Sequence, residues 1–86
     1  PKDNVLLPKG YKVFVNRTGL VYKGKSNGKI GVEIYLLEFD RDLPYPRFFT
    51  KESTRDGIWL GNVLYKLVKA KKNTLRLKVL EIRKTG

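Results

Sequence analysis

Cysteine, methionine and histidine are all missing from this chain of 86 residues. Without cysteine there is no disulfide framework and no thiolate zinc site; without histidine the commonest metal ligand and general base is gone as well. The fold must hold by packing, and neither a metal nor another cofactor is expected. Long apolar runs are missing too. No segment approaches the roughly 18 apolar residues of a membrane helix, and the first residues lack the apolar centre of a signal peptide, so a cytoplasmic protein with no membrane partner is expected. Helical periodicity, heptads, internal repeats and low-complexity tracts are equally absent from the sequence. That argues against the helix-turn-helix and basic-zipper modes of reading DNA. The length suits one domain, residues 1–86, with a small core.

Lysine is what the chain has in excess. Nineteen Lys and Arg face eight Asp and Glu, a formal net charge of +11 at neutral pH, and the charge is segregated. Residues 1–29 hold seven bases and one acid, residues 30–59 four bases and six acids, and residues 60–86 eight bases and one acid. A chain charged only for solubility intersperses the signs. Two cationic ends around a mildly acidic middle suggest that folding gathers the ends into one positive surface.

Residues 60–84 organise the rest. Residues 62–71 and 74–84 are rich in Val, Ile, Leu and Tyr, and Lys72-Asn73 between them suits a tight turn because Asn tolerates a positive φ. A two-residue loop would set Lys71 against Thr74, Lys69 against Arg76, Leu67 against Lys78, Tyr65 against Leu80 and Val63 against Ile82. On the other face Ala70 would meet Leu75 and Val68 would meet Leu77. Near the tip, one face is then apolar and the other cationic. Like charges directly opposite each other on a sheet are unfavourable, so Lys69 opposite Arg76, flanked by Lys71 and Lys78, implies an anionic partner.

Ahead of this hairpin, residues 1–10 read as a lead-in whose Val5, Leu6 and Leu7 anchor one edge of the core. Residues 11–17 alternate as a first strand, Thr18-Gly19 makes a turn, residues 20–25 form a second strand, and Ser26-Asn27-Gly28 turns into a third over residues 29–39. This third strand carries Ile30, Val32, Ile34 and Leu36 on one face, then Leu37 and Phe39 on the other. The hairpin switches in the same way, from Val68, Ala70, Leu75 and Leu77 near its tip to Val63, Tyr65, Leu80 and Ile82 near its base. Strands that swap faces coil around a corner. Residues 40–47, with two prolines, read as a loop. Residues 48–57 read as a loop or as one helical turn capped by Thr50 or Ser53, and Ile58, Trp59 and Leu60 as a short strand. The run Lys9-Gly10-Tyr11-Lys12-Val13-Phe14-Val15, followed by Gly-rich turns, is loosely similar to the opening of SH3-like barrels found in several ribosomal and chromatin proteins. The expected fold is all-β: a small closed or partly open barrel, SH3-like or OB-like, of about five to six antiparallel strands with a C-terminal basic hairpin.

Four groups of residues are candidates for function. The first is the basic ribbon of Lys66, Lys69, Lys71, Lys72, Arg76, Lys78, Arg83 and Lys84, which could neutralise phosphates from a rigid two-stranded element; a solvated sheet face is the plain alternative. The second is the loop bearing Lys23, Lys25 and Lys29, whose glycines let backbone approach a phosphate. It lacks the spacing and helix of a P-loop. Lys12 and Arg17 add to the same basic set. The third group is the aromatics, of which Phe14, Tyr22 and Tyr45 are the candidate exposed, base-stacking rings, although in a domain this small most rings must build the core. The fourth is Glu38, Asp40 and Asp42. Alternating acids can hold a divalent metal, but no histidine or other base joins them, so a structural role in the turn is expected and catalysis is not.

The expected function is non-enzymatic: a nucleic-acid-binding domain that contacts the phosphate backbone, with RNA in a ribonucleoprotein such as a ribosomal particle preferred over DNA. A compact strand-built basic domain without a recognition helix reads shape and backbone more readily than sequence. A duplex-DNA architectural or chromatin protein is the alternative, which an apolar wedge among the cations would favour. The other alternative is a basic interaction or inhibitor module for an acidic protein.

Overall fold

The computed structural model describes residues 3–36 and 42–83. These residues form eight strands and one 3-10 turn, arranged as two antiparallel four-stranded sheets. One sheet is a meander of β2 (Lys12–Val15), β3 (Thr18–Ser26), β4 (Lys29–Leu36) and β5 (Tyr45–Thr50). The other runs in the order β1-β8-β7-β6, from β1 (Asn4–Pro8), β8 (Thr74–Ile82), β7 (Val63–Ala70) and β6 (Ile58–Leu60).

Alternation dictates which side chains meet between the sheets. From the meander come Leu20, Tyr22, Ile30, Val32, Ile34 and Phe49; from the other sheet come Leu7, Ile58, Leu60, Val63, Tyr65, Leu75 and Leu77, all in one buried cluster. Each fully buried Leu or Ile contributes about 1.5–3 kcal/mol. A handful of them outweighs any cost of like charges on the outer faces, which is about 0.2–1 kcal/mol per opposed pair.

The fold is all-β as expected, but its sheets do not close into a barrel. They join at one corner, where Lys9 pairs with Tyr22 in a single parallel bridge. On the other side, β5 reaches β6 through the Arg47 guanidinium, which donates to the Trp59 carbonyl at 3.3 Å, and not through a ladder. The strand count exceeds expectation for two reasons. The lead-in is itself a strand, β1, paired with β8 from Asn4 opposite Lys78 to Pro8 opposite Thr74. Part of the proline-bearing loop and of residues 48–57 is β5, in which Pro46 is tolerated because β5 is a sheet edge, where a missing N–H interrupts no ladder.

The first turn is also displaced. Asn16 and Arg17 take positive φ of 47° and 69° between β2 and β3, while Thr18 and Gly19 lie within β3. A Cβ at Gly19 would stand 3.1 Å from the Phe14 ring, so a larger residue there would have to push that ring aside. The next turn is as expected, with positive φ at both Asn27 and Gly28. Glu52–Thr54 makes the single helical turn, with the Ser53 N–H donating to the Thr50 hydroxyl at 3.1 Å. Leu37, Phe39 and the carboxylates Glu38 and Asp40 lie outside the described residues.

In the β7/β8 ladder, Lys69 faces Arg76, Ala70 faces Leu75 and Val63 faces Ile82, as the two-residue loop requires. Between these points the register slips by one and slips back. Tyr65 faces Val79, Lys66 faces Lys78 and Leu67 faces Leu77, with irregularities that leave Val68 and Leu80 without partners. Two compensating bulges therefore produce the switch of faces. The extra residues turn outward: Val68 is 49% and Leu80 45% exposed, not inside as alternation alone implied. Ile82, at the strand end, is also exposed.

Two buried tyrosines differ in their hydroxyls. Tyr22 donates to the Lys71 carbonyl at 2.6 Å, whereas the Tyr65 hydroxyl has no hydrogen-bond partner among the described residues. Burial pushes both above the ordinary tyrosine value of 10.0. Tyr22→Phe should cost about 1 kcal/mol of unfolding free energy in urea melts, and Tyr65→Phe should cost nothing or stabilise, because it removes an unpaired polar atom. Both hydroxyls keep their proton to higher pH in the folded state than in the unfolded one. Their titration therefore leaves stability unchanged below pH ~10 and lowers it as pH rises beyond, where the unfolded chain ionises first. Either variant should lose less stability than wild type above that pH.

Candidate functional site

The candidate site lies at the end of the molecule where three turns meet. The β3/β4 turn carries Lys25 and Lys29, the β7/β8 turn carries Lys71 and Lys72, and the β1/β2 turn carries Lys9. Four hydrogen bonds hold these turns together. The Tyr22 hydroxyl donates to the Lys71 carbonyl, the Lys9 N–H to the Asn73 carbonyl at 2.8 Å, the Gly10 N–H to the Tyr22 carbonyl at 3.0 Å, and the Lys25 ammonium to the Ala70 carbonyl at 3.4 Å. A bulge at Tyr22 and Gly24 helps. Gly24, at φ +107°, leaves room for the Lys9 side chain to cross it, with Cε 3.3 Å from where a Cβ would stand.

The result is an open groove of about 570 Å³ walled by Lys9, Lys23, Lys25, Lys29 and Lys72, with Phe48 at its side. A neighbouring groove of about 650 Å³ runs from Lys25 past Lys51 to Lys69, over Leu67, Val68 and Ala70. The lysine loop and the ribbon are thus adjacent parts of one surface. On the outer face of β7 and β8, two cation pairs stand directly opposed, Lys66 with Lys78 and Lys69 with Arg76. No carboxylate among the described residues pairs with any of these four. Leu6, 48% exposed and opposite Arg76, and Val68 stand among them.

No family model, curated protein or solved structure matches this chain. What the surface can do has to come from its own groups. Five lysines lining an open groove provide donors and positive potential for a polyanion.

The remaining sequence-predicted cations are elsewhere. Lys12 lies on the outer face of the meander, its ammonium 3.7 Å from the centre of the Tyr35 ring. Arg17 sits in the β2/β3 turn, at the opposite end of the strands from the groove. Arg83 stacks 4.6 Å over Trp59, also at that far end, where its N–H donates to the Asn62 carbonyl. Lys84 is outside the described residues. The Lys23 ammonium lies 3.9 Å from Glu33, and Glu33 also accepts from the Tyr35 hydroxyl at 3.3 Å. Burial first, and then the Glu33 carboxylate, raise the pKa of that hydroxyl.

Of the three candidate stacking rings, Phe14 and Tyr45 are exposed, at 57% and 40%. Tyr22 is not: it is fully buried and cannot stack on a base. Its neighbours Lys23 and Lys25 suggest an exposed strand, but Tyr22 shares its parity with Leu20 and so points into the core. Two rings that sequence reasoning passes over, Phe48 and Tyr11, are 68% and 69% exposed. The signal for Phe48 is present, because adjacent Phe48 and Phe49 on a strand must point to opposite faces, and Phe49 is buried. Lys9 and Lys51 escape sequence reasoning because each joins the others only through the fold.

Arg76→Glu places a carboxylate opposite Lys69. It should raise stability by roughly 0.2–1 kcal/mol at low ionic strength, with a smaller gain at high salt, measured by urea denaturation.

Proposed function

We propose that this is a non-enzymatic nucleic-acid-binding protein that grips the phosphate backbone, with RNA in a cytoplasmic ribonucleoprotein, such as a ribosomal particle, as the preferred partner. The carrying observation is the set of five lysines from three parts of the chain held around one groove, beside two opposed cation pairs that have no carboxylate partner among the described residues. Like charges directly opposed on a sheet, as Lys66 and Lys78 and Lys69 and Arg76 are, are mutually unfavourable until an anion arrives. Phosphates relieve that repulsion and release counterions, which makes binding steeply salt-dependent. The two sheets, joined at one corner, fit a partly open small barrel of the SH3-like or OB-like kind, with the basic hairpin and the lysine loop as its contact surface.

Duplex DNA is the second reading. Leu6 and Val68 are half exposed among Lys69 and Arg76, the arrangement of apolar side chains that architectural proteins press between base steps.

The test is affinity for matched single-stranded and duplex RNA and DNA over a salt series, with Lys69→Ala/Arg76→Ala beside wild type. The expected outcome is a steep dependence on salt that becomes shallower in the double variant, by about 0.7–0.9 in logarithmic slope for each phosphate no longer neutralised. Weak binding to every nucleic acid, unchanged in the double variant, would refute the reading in favour of an acidic protein partner.

A further inference from the structure

Phe48 combines three properties that no other ring in the described residues shares. It is 68% exposed, it lies against a glycine, and it borders the five-lysine groove. Its Cε1 and Cδ1 atoms are 3.3 and 3.5 Å from where a Cβ of Gly31 would stand, so the ring rests on the bare backbone of β4, held from one side and open on the other. Covering a glycine accounts for the ring's inner side only. Phe14 covers Gly19 in a similar way, but its neighbours are Lys12 and Tyr35, which are engaged with each other, and it does not border the groove.

We infer that Phe48 is a stacking platform for one unpaired nucleotide base whose flanking phosphates lie among Lys23, Lys29 and Lys72. This deepens the proposed function and rests on it. The chemistry selects for unpaired nucleotides: a base within a duplex is already stacked on both faces and offers none to a protein ring, whereas a splayed base offers a π-face to an aromatic side chain next to a positive groove. Every base has such a face, so the interaction is tolerant of sequence. Ribose and deoxyribose strands present the same base and phosphate chemistry.

The experiment measures dissociation constants, across a salt series, for oligouridine and oligodeoxyuridine of about twelve nucleotides and for a blunt hairpin duplex. Wild type is compared with Phe48→Leu, Phe48→Ala and Phe48→Tyr. Leucine still covers Gly31 but has no π-face, so a wild-type melting temperature for Phe48→Leu separates loss of stacking from loss of fold. The leucine and alanine variants should bind the single strands roughly 5- to 100-fold more weakly at an unchanged salt slope, because no cation is removed. The tyrosine variant should match wild type, and duplex binding should be unaffected. Oligouridine against oligodeoxyuridine, which share the base and differ only in the 2′-hydroxyl, then identifies the strand chemistry. Phe48→Leu binding single strands as tightly as wild type, while salt dependence persists, overturns the stacking role and leaves the backbone reading standing. Tighter binding of the duplex than of either single strand, in wild type and every variant alike, overturns it in favour of a duplex partner. Absence of salt-dependent binding in wild type refutes the underlying reading and this one with it.

Discussion

The hydrogen bond from the buried Tyr22 hydroxyl to the Lys71 carbonyl is the contact on which the rest of the surface depends. It is 2.6 Å long and joins residues 49 apart in sequence. Its ring is packed between the sheets, so the lysine-bearing turn at its far end is referred to the core and not left to solvent. One such bond contributes only about 1 kcal/mol net, which is comparable with the Coulomb repulsion of a single pair of ammonium groups about 4 Å apart in water. The bond alone would not hold several lysines together. What holds them is the bond combined with ring burial and the backbone bonds of Lys9 and Gly10 on either side of the same corner. Where the sheets meet is therefore also where the charge concentrates.

The compensating bulges in β7 and β8 act on the other part of the surface. A regular ladder carrying the register of the tip would place Leu67 opposite Lys78 and leave Val68 inside. Instead Leu67 meets Leu77, Val68 turns outward, and Lys66 falls opposite Lys78. The core keeps its leucines, and the outer face acquires a second opposed cation pair together with half-exposed apolar residues. Packing decides the register because burying one leucine is worth several times what a like-charge pair costs. The electrostatic burden follows from that choice.

Much of this is readable in the residues. Alternation and Asn-Gly chemistry place β4, its preceding turn and both strands of the final hairpin, since long periodic runs bounded by turn residues leave few choices. The segregation of charge indicates that the chain ends form one positive surface, and the Lys23–Lys29 turn and the ribbon do lie side by side. What escapes is decided by tertiary packing. Nothing local marks residues 4–8 as a strand, because its partner lies some seventy residues away in β8. Pro46 reads as loop until its strand is known to be an edge. Tyr22 reads as exposed when its charged neighbours are weighed above its parity with Leu20. Sequence parity predicts which face a side chain takes only until a bulge intervenes, as Val68 and Leu80 demonstrate.

A single polyanion-binding surface built from turns in three parts of the chain is the property on which the proposed function rests. It is tested most directly by following backbone amide chemical shifts while a short single-stranded oligonucleotide is added. Amides of residues 9–10, 23–31 and 69–76 should shift together and saturate at one ligand ratio, while those of β6 and of the Asn16-Arg17 turn stay in place. Shifts confined to a single tip, or greatest at the Asn16-Arg17 end, would contradict the account.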